Sequence, residues 1–454
     1  MSSARRVDVV VVGMGVAGEE VGGRLAQAGL SVVGIDDTLV GGECPYWGCV
    51  PTKMMIRAGN ALAEARRIGS LAGSAQVQAD WAPVARRIRD EATDNWDDKV
   101  AVERFTGKGG TFVRGRATVV GPGCVQVDDR VYEASRGLVI ATGTAAVVPP
   151  VDGLAGTPYW TNREAVEADE LPGSLLVLGG GAIGVELAQV YARFGVRVTV
   201  VEGGERLLAM EEPESSELVA TALAADRVTI RTGVRARRVD HDGGGFTMAL
   251  SDGSSLTGDR LLVATGRQAR LGGLGLETVG LDPRARHLET DGRMRAGDRI
   301  WAVGDVAGQG AYTHMAMYEA DIAVRDILGQ GGPDADYRAV SRVTFTDPEV
   351  GAVGLTEHQA RAAGIDVHVG FTDLASSSRG FIHGPGNDGF IKVVADRDAG
   401  VLVGATSAGP SGGEVLGALS VAVHGRVPVA TLLTMIYAYP TFHRAIGEAL
   451  RALR

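Results

Sequence analysis

The stretch VDVVVVGMGVAGEEVGGRLAQAGLSVVGID, Val7 to Asp36, decides the fold. It opens with a β-branched run over 7–12, the composition of a buried parallel strand. Gly13, Gly15 and Gly18 follow in the pattern G-x-G-x-x-G. A helical stretch is expected over 19–28 and a second strand over 31–35, ending at Asp36. In such a unit the first glycine permits the tight turn and the second lets a pyrophosphate approach the backbone. The third lets helix and strand pack closely, and the acid receives ribose hydroxyls.

The same order recurs downstream. A strand over 175–178 enters Gly179, Gly181 and Gly184, a helix is expected over 185–194, and a strand over 196–201 ends at Glu202. In both copies the acid stands 23 positions after the first glycine (Gly13 to Asp36, Gly179 to Glu202). One glycine triplet among 66 glycines carries little weight, but two in register, each between a strand and a helix, point to two dinucleotides on one chain. A flavin and a nicotinamide are the natural pair.

Between the two units lies Gly41-Gly42-Glu43-Cys44-Pro45-Tyr46-Trp47-Gly48-Cys49-Val50-Pro51-Thr52-Lys53. Residues five apart on a regular helix point away from each other, so Cys44 and Cys49 need the unwinding that Pro45 and Gly48 supply. Zinc would need more ligands than this neighbourhood offers, and no metal site is expected. A structural disulfide across so small a loop would add little. The favoured reading is a redox-active pair, with a helix start favouring a thiolate, and the alternative is a pair of inert thiols. Cys124, in a strand-like stretch over 124–127, is expected to be a buried small residue.

The wider chain narrows the class. It has 454 residues, 45% of them hydrophobic and 22% charged, as in an ordinary multi-domain globular protein. A net charge of −10 without a basic block argues against nucleic acid or an anionic membrane as partner. No apolar run is long enough to span a bilayer. Arg5 and Arg6 before an apolar stretch resemble a signal peptide, but no small-residue cleavage site follows, and three cysteines are too few for a secreted disulfide framework. A cytoplasmic location is expected.

The cysteine segment, the two fingerprints and their order resemble the class I flavoprotein disulfide reductases, which include dihydrolipoamide dehydrogenase, glutathione reductase and mercuric reductase. The likeness runs through essentially the whole chain. Ala141-Thr142-Gly143 and Ala264-Thr265-Gly266-Arg267 match the turns where that family's chain crosses between cofactor domains. Trp301-Ala302-Val303-Gly304-Asp305 matches its second flavin motif, and Phe345-Thr346-Asp347-Pro348-Glu349 the start of its dimerisation domain.

The resemblance implies an α/β chain of two Rossmann-like dinucleotide-binding domains and a C-terminal α+β dimerisation domain. FAD would occupy residues 1–150 and 267–335, NADH or NADPH residues 151–266, and the interface residues 336–454, in a homodimer. It assigns Asp36 to the flavin adenosine, Asp305 to the ribityl chain, and Gly42, Thr142, Gly143, Gly266, Arg267 and Gly304 to the cofactor turns. Lys53, one of only four lysines, would lie under the flavin paired with Glu186. Cys49 would be the flavin-side sulfur and Cys44 the one that meets substrate. Glu202 favours NADH, because a carboxylate repels a 2′-phosphate, and Arg206 is a candidate to soften that preference.

Two departures matter. Thiol-linked members end in His-Pro-Thr with a Glu five residues on, whereas this chain reads Tyr439-Pro440-Thr441-Phe442-His443-Arg444. Tyr439, with an ordinary phenol pKa of about 10, is a poor base, and His443 is the alternative proton acceptor. Arg444 and Glu448 are spaced to pair on a helix. Tyr46 and Trp47 either line an entrance for a flat acceptor or simply pack. The leading function is an FAD-dependent NAD(P)H oxidoreductase acting on an unidentified disulfide or dithiol through Cys44 and Cys49. The alternative is a reductase of quinones or other small acceptors with auxiliary cysteines. A mercuric-like metal-ion reductase is less favoured, because a terminal cysteine pair is not seen, and a redox-sensing flavoprotein draws no support from the residues.

Overall fold

The computed structural model describes residues 4–454. The chain forms two compact units. The first comprises residues 1–51, 86–147 and 267–336, and the second residues 52–85, 148–266 and 337–454. Residues 52–85 therefore group with the second unit, together with the second fingerprint and the C-terminal segment.

The first unit is built on an eight-stranded sheet whose centre is the strand Arg5–Val12. It lies parallel to Val32–Asp36 on one side and to Arg130–Ile140 on the other. Val9, Val10 and Val11 are fully buried, so both faces of this strand are covered, as its unbroken β-branched composition requires. Each such side chain contributes about 2 kcal/mol of burial. The helix Val16–Gln27 covers one face, packed with Thr313–Ile327 around Leu25, Val21 and Ala320.

The second unit repeats that design on a smaller scale. Ser174–Leu178 is the inner strand of a four-stranded parallel sheet, between Arg197–Val201 and Arg260–Val263. An antiparallel three-stranded sheet follows (Ala236–His241, Phe246–Leu250, Ser255–Gly258). The C-terminal part is a five-stranded antiparallel sheet running in the order Ser341–Thr344, Glu349–Gly354, Val401–Gly409, Phe390–Asp396, Val367–Asp373. The helices Gly412–His424 and Ala445–Arg451 pack on it through Leu416, Leu419, Ile446 and Ala449.

Both fingerprint helices begin earlier than their composition suggests, at Val16 and Ala182. Gly15 and Gly181 serve as N-caps without a side-chain bond, so no Ser, Thr or Asp marks the start. From composition, residues 54 to roughly 102 are expected to be helical, with good helix formers over 61–67 and 84–92, and the structure interrupts that helix. The helix Cys49–Arg67 ends in a single turn over Ile68–Ser70, and Gly73 at φ +120° begins a non-helical stretch that lasts to Trp81. Cys124 heads the strand Cys124–Val127 but is only half-buried, because side chains alternate along the strand and Val125 and Val127 take its buried face. Among the described residues no helix is long and apolar enough to cross a membrane.

Candidate active site

In the first fingerprint, Gly13 turns at φ +93°, and a side chain there would overlap the Ala141 carbonyl. A side chain on Gly18 would overlap the Gly13 carbonyl oxygen, which is the close helix–strand approach that the third glycine permits. Gly15 differs: only the Gly42 Cα lies near a Cβ placed there, at 3.9 Å. That leaves room for a pyrophosphate at the uncapped helix start. Asp36 holds this loop. One oxygen accepts from the Met14 N–H at 2.6 Å, and the other from the Thr38 N–H and hydroxyl at 2.7 and 2.8 Å.

The second fingerprint reproduces the first almost bond for bond. Gly179 turns at φ +115° against the Ala264 carbonyl, Gly184 closes on the Gly179 carbonyl, and Gly181 faces open space. Glu202 accepts from Gly180 N–H at 2.7 Å, just as Asp36 accepts from the residue after its own first glycine, and from Gly204 N–H at 2.6 Å. Arg206 does not reach this carboxylate. Its guanidinium is spent on the carbonyls of Leu208, Ala209 and Glu211 at 2.8–3.1 Å, which removes it as a modifier of nucleotide choice.

The crossing turns of the first unit converge on Asp305. Its Oδ2 accepts from the Thr144 hydroxyl at 2.7 Å, and Arg267 donates to that hydroxyl at 2.8 Å and to the Thr144 carbonyl at 2.9 Å. Arg267 also lies 3.8 Å from Glu43. The Thr142 hydroxyl beside this network is buried without a hydrogen-bond partner. An orphaned hydroxyl next to a glycine cradle fits a polar flavin edge. Gly266, at φ +117°, has nothing within 4 Å of a Cβ placed on it. Gly304 is held by a residue that sequence reasoning missed: its N–H donates at 2.7 Å to Glu319, which is completely buried.

The cysteines sit on two helical pieces. Cys44 lies in the single turn Glu43–Tyr46, the chain breaks at Trp47 and Gly48, and Cys49 opens the helix Cys49–Arg67. Both are free thiols, Cys44 half-buried and Cys49 exposed. A hydrogen bond with Cys49 and burial push the Cys44 thiol well above its ordinary pKa, partly opposed by a bond from Thr313. The Thr313 hydroxyl also lies 3.2 Å from Cys49 Sγ. Thr313 was not among the sequence candidates; it stands far along the chain, at the start of another helix. Tyr46 and Trp47 are 6% and 8% exposed with ring centroids 5.8 Å apart, so they pack and open no entrance.

In the second unit, Lys53 Nζ pairs with Glu186 Oε2 at 2.9 Å. The other Glu186 oxygen accepts from Phe345 N–H at 2.8 Å, and the Lys53 ammonium stands 4.7 Å over the Phe345 ring. A carboxylate 5% exposed is thus satisfied on both oxygens, and Phe345 is a second partner that spacing could not reveal. Tyr439 is 67% exposed, preceding a cis proline, with the Arg444 guanidinium 5.4 Å over its ring. Arg444 is thus drawn to the ring instead of pairing with Glu448. His443 Nε2 lies 3.4 Å from the Thr441 hydroxyl. Among the described residues no cluster of His, Cys, Asp and Glu could hold a metal ion.

Comparison with known proteins gives a consistent result. The family model for pyridine nucleotide-disulphide oxidoreductases matches residues 7–320, and the one for that family's dimerisation domain matches residues 340–450. Dihydrolipoyl dehydrogenase from Chlorobaculum tepidum is 32% identical over 98% of this chain and 97% of its own length. Mercuric reductase from Staphylococcus aureus is 30% identical over 98% of this chain and 82% of its own. Among solved structures, the Cu(II) complex of the HOCl-induced flavoprotein disulfide reductase RclA from Escherichia coli has a TM-score of 0.86 at 26% identity, covering 98% of this chain and 99% of that one. LpdA from Mycobacterium tuberculosis has a TM-score of 0.85 at 27% identity, covering 99% of each chain.

Proposed function

Because the chain belongs to the pyridine nucleotide-disulphide oxidoreductase family and is an FAD- and NAD(P)H-dependent oxidoreductase, we propose that Cys44 and Cys49 form its working dithiol and that its substrate is a small disulfide. The observation that carries this is the cysteine pair itself. The two thiols meet across a helix break and share the Thr313 hydroxyl, with Cys44 half-buried and its pKa raised by the bond with Cys49 and by burial, and Cys49 exposed.

FAD, when bound, supplies the two-electron link between the nicotinamide and the cysteine pair. The residues of the chain do the rest. Cys44 loses its proton to solvent and attacks one sulfur of the substrate disulfide, forming a mixed disulfide and releasing one thiolate. Cys49 gives its own proton to solvent and, as a thiolate beside the Thr313 hydroxyl, attacks Cys44 Sγ, breaking the mixed disulfide. The second substrate thiolate leaves, and the Cys44–Cys49 disulfide remains, to be reduced by two electrons from NAD(P)H. Asp36 and Glu202 would orient the two ribose units, Asp305, Arg267 and Thr142 the flavin edge, and Lys53 with Glu186 a fixed charge near the hydride path.

The test is Cys44→Ser assayed with NADH against glutathione disulfide, lipoamide and a simple quinone. Loss of more than a hundredfold with a disulfide, beside retained quinone reduction, supports the proposal. Equal turnover of every acceptor by mutant and wild type refutes it.

A second reading, reduction of quinones or other small acceptors, is favoured by one observation. The place of the usual acid–base histidine is taken by an exposed phenol beside an arginine, and such acceptors need no thiol base. It predicts strong quinone turnover with no measurable disulfide turnover by the wild type. Cu(II) belongs in the same assay as a further acceptor, since the RclA neighbour holds Cu(II).

A further inference from the structure

The residues around Glu202 carry an inference about which nicotinamide dinucleotide this chain takes, and it rests on the reading of the second fingerprint as the nicotinamide-nucleotide site. In such a fingerprint the acid marks the 2′ position of the adenosine ribose, and whatever stands beside the acid meets a 2′-phosphate. Here the neighbour is set by a short ladder. Glu202 N–H donates to the Arg231 carbonyl at 2.8 Å, Gly233 N–H to the Gly204 carbonyl at 2.7 Å, and Val234 N–H to the Glu202 carbonyl at 3.3 Å. Residues 231–235 therefore run directly along the turn 202–204.

That ladder lays Arg235 against the turn. A Cβ placed on Gly203 would stand 3.3 Å from Arg235 Cγ and 3.6 Å from its Nε. A side chain at 203 would crowd that stem by a few tenths of an ångström. The Arg235 backbone is pinned on both sides, its N–H to the Ser251 hydroxyl at 3.0 Å and its carbonyl to the Ser251 N–H at 2.8 Å. Of the neighbouring arginines, Arg231 pairs with Asp252, and Arg238 with Asp152 and Asp240, while Arg237 is exposed. Among the described residues no carboxylate pairs with Arg235. Arg206, the other cation of this loop, is tied to three carbonyls.

We infer that Arg235 is a 2′-phosphate-binding residue and that the chain accepts NADPH as well as NADH. A 2′-phosphate carries close to two negative charges at neutral pH, and a guanidinium fork matches it with two parallel bonds. Glu202 opposes it, but both carboxylate oxygens already accept backbone N–H groups, which soften its field. The two effects work against each other, so discrimination between the two dinucleotides falls within about tenfold instead of the larger factor that an unopposed carboxylate would impose.

The experiment compares 2′,5′-ADP with 5′-AMP, which differ only in the 2′-phosphate and cannot be turned over. Binding to the FAD-loaded full chain is measured by calorimetry for the wild type, Arg235→Ala, Arg235→Lys and the exposed control Arg237→Ala. The expected result is that wild type binds the two fragments within about tenfold. Arg235→Ala then weakens 2′,5′-ADP at least tenfold while 5′-AMP stays within twofold, Arg235→Lys recovers part of the loss, and Arg237→Ala changes neither. If wild type binds 5′-AMP a hundredfold more tightly, or Arg235→Ala weakens both fragments equally, Arg235 is not a phosphate ligand and only this inference falls. If neither fragment binds, the nicotinamide reading of the second fingerprint falls with it.

Discussion

At the scale of single residues, Cys44 makes the sharpest demand. Its thiol is held above the ordinary range by the bond with Cys49 and by burial, and a raised pKa means that the protonated form dominates at neutral pH. On the proposal that neither Tyr439 nor His443 serves as the base, the thiolate comes from deprotonation to solvent. Turnover of a disulfide should therefore climb by about tenfold per pH unit through the neutral range, as the thiolate fraction does. A stopped-flow series from pH 6 to 9 checks this, and a plateau across neutrality would contradict it. Tyr439→Phe should leave the profile unchanged. Lys53→Met should slow flavin reduction by NADH at least tenfold, because the Glu186 carboxylate keeps its Phe345 bond but loses its counter-charge. Since Lys53 is itself partly exposed, stability should change by only about 1 kcal/mol. Cys44, Cys49, Asp36 and Glu202 stand out as candidates because local patterns mark them, and the pairing of Lys53 with Glu186 was expected from the family resemblance. Thr313, Glu319 and Phe345 were not, since each acts on a residue distant in sequence and only folding brings it there.

Among the elements, the two strand–glycine–helix units were legible almost entirely, because a run of buried β-branched residues, a glycine turn and an acid in register leave few alternatives. Their helix starts were not, since glycine caps carry no side-chain signal. The equivalence of the units predicts separable defects. Gly18→Ala places a methyl group on the Gly13 carbonyl oxygen and should yield protein that loses its flavin on gel filtration. Gly184→Ala makes the same collision with the Gly179 carbonyl and should keep the yellow colour while losing reduction by NADH. Visible absorbance before and after gel filtration, with a stopped-flow reduction trace, separates the two. Identical behaviour of the mutants would contradict independent cradles. The stretch over 71–81 was expected to be helical because good helix formers flank it at 61–67 and 84–92, while Gly73 interrupts it.

At the scale of the whole molecule, the C-terminal segment matches the family's dimerisation domain, which supports a homodimer, and it carries exposed apolar side chains at Ile436 and Phe381. Inside the second unit, buried Lys392 binds Glu212, Glu214 and Glu357 at 2.8–3.1 Å. Burial alone would lower its pKa, but the bonds to Glu214 and Glu212 outweigh burial and raise it. A raised lysine pKa gives stability that is complete below the unfolded value of about 10.4 and is lost as pH rises through the folded value. Lys392→Met should therefore cost about 3 kcal/mol in urea unfolding from pH 7 to 9, because it leaves three carboxylates facing one another. A loss below about 1 kcal/mol would show that the cluster is not held by this lysine. The division into two units was not legible, because nothing local in residues 52–85 says which neighbours they join. The central claim, that electrons pass through Cys44 and Cys49, is tested most directly by anaerobic titration of the FAD-loaded protein with NADH, followed in the visible spectrum. The account predicts uptake of two electron pairs per chain, with long-wavelength absorbance from the Cys49 thiolate against the flavin. Uptake of a single pair, with plain bleaching and no such absorbance, would contradict it.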